Sequence, residues 1–468
     1  MRVFVLGGGV AGMGAALLLA REGHDVTLVD RDPPSSDVTA DGTFAAAERP
    51  TVPQFRQPHN FLGLGRQLLH DRLPDVYQRL LEVGAGEIDQ SAFLPPGTES
   101  EPGDEDLVVV LCRRPVFDAV LRNAVDAEPD LDVRRAKVTG LTADGGRITG
   151  VVLDEDEEVA CDLLVDSMGR SSHLPRWLAE GGFRTPSEVV ADCGLLYFSR
   201  HFRVHVGAQM PRFTTLLAGP RGDIGFLSHS VFVGDNRTFC ICIMPAATDR
   251  DLRALRDEQA FMRVARLLPG YLDWIAPDIA EPITPVLAMG AIRNLMRSYV
   301  TEREPVAPGV VAIGDALLHT NPTSAFGASQ SLEHAVVLSA VLSEASDPTE
   351  VGLGFHERVR EAAMKRFEAV AVEDRDRLSM YSGEPIDVTD PRDSVPLFLR
   401  LIMPRVAIGD AELLRAVLRR VNMIESPDVL ANDTQMLDQG RRLFLGSGIS
   451  EAPVAQPSRA DVLEALAS

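Results

Sequence analysis

The sequence predicts an α/β protein: a Rossmann-like domain assembled from separated segments, an inserted and mostly antiparallel β-sheet, and a helical C-terminal region. Three observations lead there. An apolar strand runs straight into GGGVAGMG and then a helix, within residues 3–21. Residues 191–290 alternate apolar and polar side chains in short runs, including RFTTLLAG (212–219). Beyond residue 355 the apolar spacing becomes helical. The expected domains are 1–190 with 291–345, then 191–290, then 346–468, with the last dozen residues fraying.

The first unit carries the clearest chemistry. Residues 3–6 read as a strand, 13–21 as a helix closed by Gly23, and 25–29 as a second strand ending at Asp30. Between the first strand and the helix stands Gly7-x-Gly9-x-x-Gly12. Gly7 permits the tight turn, and Gly9 leaves room for a pyrophosphate against the backbone. Gly12 and Ala16 let helix and strand pack closely. Free N–H groups at the helix start favour an anion, and Val10 and Ala11, in the turn before it, are further cofactor-binding candidates. Asp30, 18 residues after Gly12, can accept from ribose hydroxyls, with Arg31 beside it. The unit reads as a dinucleotide site. No second such fingerprint follows a strand, so one nucleotide has a dedicated site.

The formal net charge of −22 argues against a nucleic-acid backbone or anionic lipid as partner. The acidic runs EPGDED (101–106) and DEDEE (154–158) read as solvated loops or turns. Cys112, Cys161, Cys193, Cys240 and Cys242 form no CxxC pair, so they read as reduced core thiols with no metal site. No apolar run is long enough to span a membrane and the chain opens on strand residues. The expectation is a cytoplasmic protein.

Near the end of the middle third, VVAI leads into GDALLHTNPTSAFGASQ (314–330), which puts a charge directly after a buried strand. With two other stretches it resembles flavoprotein monooxygenases of the para-hydroxybenzoate hydroxylase type. CRRPVFDAVLRNAV (112–125) resembles their arginine-led helix. CDLLVDSMGRSS (161–172) resembles their second fingerprint and GVVAIGDALLHTNP (309–322) their third. The resemblance implies FAD as cofactor. Arg114 would contact it, with Val138, Asp166 and Gly169. Asp315, after Gly314, would bind the ribityl chain. The loop from Pro322 and the helix start at Gly327, Ala328 and Ser329 would lie against the flavin ring. There, N–H groups would face the charge that reduction creates. Two departures stand out: Ser167-Met168 in the second fingerprint, and Ala325-Phe326 where the third usually has glycine.

A closer likeness runs through TVPQFRQPHNFLGLG, within residues 51–84, and through GRSSHLPRWL (169–178), YFSRHF (197–202) and VGDNRTF (233–239). These are similar to an actinobacterial subgroup of FAD-dependent monooxygenases that includes polyether epoxidases. The likeness covers roughly residues 1–340. It implies Arg56, Gln57 and His59 at the flavin edge. Arg56, His59, Pro322 and Phe326 are the catalytic candidates.

The implied chemistry is hydroxylation or epoxidation of a hydrophobic secondary metabolite through a flavin C4a-hydroperoxide. NAD(P)H or a separate flavin reductase would supply the electrons. The substrate would meet inward side chains of the sheet: Tyr197, Phe198, Phe202, Phe213, Leu216, Phe226 and Phe232, with Phe326. Three other readings share the fold. A halogenase would need a lysine upstream of the sheet, yet lysine occurs only at Lys137 and Lys365, and Trp177 and Trp274 are far apart. A prenyl reductase of the geranylgeranyl type would need no oxygen. A cyclase or binding protein would keep its flavin out of redox chemistry.

Overall fold

The computed structural model describes residues 1–36, 49–345, 347–447 and 456–468. At its centre lies a five-stranded parallel sheet, ordered 310–312, 163–166, 2–6, 25–29 and 131–134. We label Arg2–Leu6 β1, Val10–Arg21 α1 and Asp25–Val29 β2. The middle strand β1 is covered on both faces. Its residues Val3 to Leu6 are all at most 2% exposed, which is why the strand reads as an unbroken apolar run. The sheet is gathered from four distant parts of the chain, as the Rossmann-like reading requires.

A second, antiparallel sheet is built from residues 197–204, 221–223, 227–233, 238–245, 280–282 and 287–289. The turn at VGDNRTF joins two of its strands, with Asn236 and Arg237 at positive φ, as a tight hairpin demands. Thr238–Pro245 is buried at every position, so both faces of the sheet are covered. One face packs Phe198, Phe202, Phe239, Ile241 and Trp274 into a core away from the parallel sheet, and Phe226 packs against it. Phe202 stacks on Phe239 at 5.1 Å. RFTTLLAG forms no strand; it holds only an isolated bridge between Thr215 and Ala218. A small sheet of 187–192, 293–298 and 318–319 connects the two halves.

The C-terminal region is helical and reaches back into both halves. Pro348–Tyr381 runs 34 residues against the helix Phe326–Glu344 and strand 293–298. EPGDED is not solvated throughout: Asp104 is buried and accepts from Arg415 at 3.0 and 2.9 Å. Nor do the last residues fray. Arg459–Ala467 is a helix with a Ser458/Asp461 capping box, docked on Glu258–Leu267. Val462 is fully buried there, and Arg263 Nε donates to Ala465 O at 2.6 Å. Among the described residues no helix is long and apolar enough to cross a membrane.

Val462→Asp places an unpaired charge in that contact and should cost at least about 3 kcal/mol. Chemical denaturation of the variant beside the parent measures it; equal midpoints would mean that the last helix is dispensable.

Candidate cofactor and substrate site

A single cleft of about 1900 Å³, counting its open mouth, runs along the C-terminal ends of β1 and β2 and on to the antiparallel sheet. Gly7, Gly9, Val10, Ala11, Asp30 and Arg31 line its nucleotide end, with Val138 opposite. A Cβ on Gly9 would meet none of the described residues within 4 Å, so among them the space above the first turn of α1 is open. Among the described residues no side chain caps that turn, which leaves its N–H groups for an anion. Gly12 does a different job. A Cβ there would sit 1.8 Å from Gly7 O, so its absence lets α1 close on the turn, away from the cleft.

Asp30 accepts from Gly8 N at 2.8 Å, Asp32 N at 2.8 Å and Arg49 at 2.6 Å. A carboxylate takes about four hydrogen bonds, so one position is left for a hydroxyl. Arg49 also reaches Asp118 at 3.3 Å, and Asp118 binds Arg114. Arg49 lines the cleft, and sequence reasoning did not find it. No local motif marks it, because its partners lie at residues 30 and 118.

The second fingerprint is only partly in the cleft. Gly169 lines it, but Asp166 is fully buried. Its carboxylate accepts from Met168 N at 3.0 Å and Ser172 Oγ at 2.6 Å, so it shapes the turn and does not touch the cleft. Burial pushes its pKa up to about 6. Ser167, the departure from the usual pattern, donates to Leu6 O at 2.7 Å and Gly7 O at 2.8 Å. It ties this turn to the glycine turn.

Asp315, Pro322, Ala325, Gly327 and Ala328 line the next stretch. Gly314 is buried behind them at φ +58°, its N–H held by His334 Nδ1 at 3.0 Å. Ser329 is buried against Gly65, and neither it nor Phe326 lines the cleft. Ala325 adopts φ +57°, the left-handed conformation that a glycine at this position would take freely. The loop is fixed from behind. Asn321 Oδ1 accepts from Thr323 N at 3.0 Å and from the Tyr197 hydroxyl. Asn321 Nδ2 donates to Asp374 Oδ1 at 2.6 Å, and Asn294 Nδ2 to Asp374 Oδ2 at 2.9 Å. Tyr197 is therefore buried in a scaffold and does not line the cleft.

Gln57 and His59 line the cleft; Arg56 does not. The carbonyl of Arg56 accepts from His201 Nε2 at 2.9 Å, and Gln57 Oε1 accepts from Ser199 at 2.6 Å. His59 Nδ1 faces Gln57 O at 2.9 Å and Nε2 faces Arg114 at 3.4 Å. A carbonyl only accepts and a guanidinium only donates, so the proton is on Nδ1 and Nε2 is occupied. Burial and Arg114 push its pKa down to about 3. His59 thus positions neighbours and exchanges no proton with a substrate. His319, missed from the sequence, also lines the cleft, with Nδ1 on Arg293 O at 2.9 Å and Nε2 3.9 Å from Asp315.

At the far end Phe232, Met289 and Ile292 form an apolar wall. The other aromatic candidates are elsewhere. Phe198, Phe202 and Phe226 serve the opposite face of the sheet, Leu216 packs with the C-terminal helices, and Phe213 is 40% exposed.

Residues 2–84 match the model of the FAD dependent oxidoreductase family. Protein Rv3254 of Mycobacterium tuberculosis is 28% identical over 345 residues, covering 68% of each chain. Among solved structures, the flavin-dependent brominase Bmp2 matches with a TM-score of 0.62 and 14% identity, over 94% of this chain and 100% of that one. PqsL, a probable FAD-dependent monooxygenase from Pseudomonas aeruginosa, matches with 0.56 and 15%, over 82% and 99%. The fold is that of the flavin monooxygenases. With the glycine cradle and the family match, it defines a protein that binds FAD and works as an FAD-dependent oxidoreductase.

Gly9→Ala should fold but lose its flavin colour, since the methyl enters the pyrophosphate space; Gly12→Ala should not yield folded protein. Absorbance and circular dichroism separate the two, and a yellow Gly9→Ala protein would refute the assignment. Acid should also unfold the protein. Burial pushes His59 and His229 down to about 3, and His201 and His334 to about 4. Unfolded histidine binds protons from about pH 6.5, so this stability is full above 6.5 and lost as pH falls. At pH 5 each costs about 2 kcal/mol. Asp166 and Asp374, raised to about 6, act oppositely and return about 3 kcal/mol together. The net loss from pH 7 to pH 5 is about 5 kcal/mol, read from urea midpoints.

Proposed function

We propose that this chain is an FAD-dependent monooxygenase that hydroxylates or epoxidises an apolar small molecule. The supporting observation is the continuity of the cleft, which joins a dinucleotide cradle to the wall of Phe232, Met289 and Ile292. When bound and reduced, FAD would supply the two electrons with which O2 gives one oxygen atom to an electron-rich carbon and the other to water. The chain's own part is to bind, orient and keep water out. Asp30 and the first turn of α1 would hold the adenosine and pyrophosphate, and Asp315 the ribityl chain. The 322–328 loop would present backbone N–H groups and the positive end of a 19-residue helix to the ring.

The brominase likeness does not carry halogenation over, because neither lysine reaches the apolar end. Lys137 lines the nucleotide end, three residues past the edge strand 131–134. Lys365 is held by Glu361 at 2.7 Å and Asp428 at 3.1 Å. The proposed substrate is a hydrophobic secondary metabolite, with NAD(P)H or a partner reductase as electron donor.

The test is to reduce the yellow holoenzyme without oxygen, using NADPH, NADH or a flavin reductase, and then admit labelled oxygen with candidate alkenes and aromatics. The expected product carries one labelled oxygen atom. Product formed equally well in strict anaerobiosis with oxidised flavin would overturn the monooxygenase reading in favour of a non-redox one.

A further inference from the structure

Resting on the reading of this cleft as a substrate site, a group of arginines beyond its apolar wall, none of them in the cleft lining itself, indicates what the far end of the substrate carries. Arg221–Asp223 pairs with Leu227–Val233 so that Arg221 stands opposite Ser230. Side chains alternate along a strand, so Arg221, Ser230 and the cleft residue Phe232 share one face. Two residues along a strand is about 7 Å, which puts Arg221 one pleat from the wall.

This face looks toward the long C-terminal helix. There Glu373 binds Arg377, and accepts from Arg400 at 2.7 Å. Arg221 and Arg420 lie close enough to feel both Glu373 and Arg400. The other carboxylates nearby are occupied. Asp374 holds Asn294, Asn321 and Arg377, and Asp223 accepts from Ser228 and Tyr381 at 2.6 Å. Four guanidiniums therefore share Glu373 and part of Asp374. The guanidiniums of Arg221 and Arg420 make no ion pair or hydrogen bond among the described residues, and Arg420 Nε is buried without a partner. Both are half-buried, and burial with Arg400 beside it pushes the Arg221 guanidinium down to about 10. Cations withdrawn from water are ordinarily paired, and a chain of net charge −22 has carboxylates to spare. These two are left open.

We propose that Arg221, Arg400 and Arg420 form a receiver for an anionic group, and that the substrate is an apolar molecule bearing a carboxylate, its chain laid along Phe232, Met289 and Ile292. A guanidinium offers a planar fork that fits a carboxylate, and its desolvation is already largely complete.

The test uses FAD-loaded protein with decanoate, decanol and acetate at fixed ionic strength, read by flavin difference absorbance and melting temperature. Decanoate should bind at least tenfold tighter than either of the others. Arg221→Gln and Arg420→Gln should each weaken decanoate at least tenfold, leaving decanol binding and the flavin spectrum unchanged. No binding of decanoate, equal binding of decanol, or undiminished decanoate binding in both variants overturns the receiver. Acetate as tight as decanoate overturns its link to the wall. Intact, arginine-dependent decanoate binding in a protein that never uses oxygen would sink the monooxygenase reading and leave the receiver standing.

Discussion

The carboxylate of Asp374 sets the shape of the loop at 321–328, which borders the cleft. It is 1% exposed, sits 53 residues past Asn321 on the long helix, and accepts from Asn294, Asn321 and Arg377. The two asparagines then use their other groups on the loop. Asn294 Oδ1 takes the Asn321 N–H at 2.7 Å, and Asn321 Oδ1 takes the Thr323 N–H. Deleting the carboxylate would strand buried amides at about 1–3 kcal/mol each. That surplus explains how the loop tolerates Ala325 in a left-handed conformation, which costs an alanine about 1 kcal/mol. A strained residue persists where its surroundings over-determine it.

Burial also decides what the histidines do. Kept neutral, an imidazole is one donor and one acceptor at fixed positions. His334 spends its acceptor on the N–H of Gly314, at the end of the strand that delivers Asp315. His201 spends Nε2 on the carbonyl of Arg56 and His59 spends both nitrogens on Gln57 and Arg114. None of these three is poised to move protons. They are rigid connectors that hold the cleft's edges in register, which suits a site whose reactive chemistry belongs to a cofactor.

The legible part of the site was the part written in backbone. Gly7, Gly9 and Gly12 act through missing side chains within one turn, so their spacing alone states their roles, and Asp30 follows from the length of one helix. Asp166 and Asp315 look alike in sequence, each an acid after an apolar strand. Only the folded chain shows that one turns inward to Ser172 while the other lines the cleft. The aromatic residues failed for a related reason. Alternation placed Phe198, Phe202 and Phe232 on strands, but which face meets the flavin domain depends on how two sheets pack. Arg49 and Asp374 were invisible because their partners are distant in sequence and no motif joins them.

The C-terminal helices were the segment least like anything recognisable, and they carry the features that distinguish this chain from its fold. A cradle for FAD fixes where the ring lies but not what meets it, and one fold hosts many reactions. Here the 348–381 helix does two jobs with adjacent residues. Asp374 braces the 321–328 loop, while Glu373 accepts from Arg377 and Arg400. Because the two carboxylates are neighbours on one helix, the distance between the braced loop and the arginines is set by a rigid element and not by a loop. A substrate gripped at its charged end would therefore present the same carbon to the flavin each time. Position along the wall, more than any catalytic acid or base, would then choose the site of oxidation.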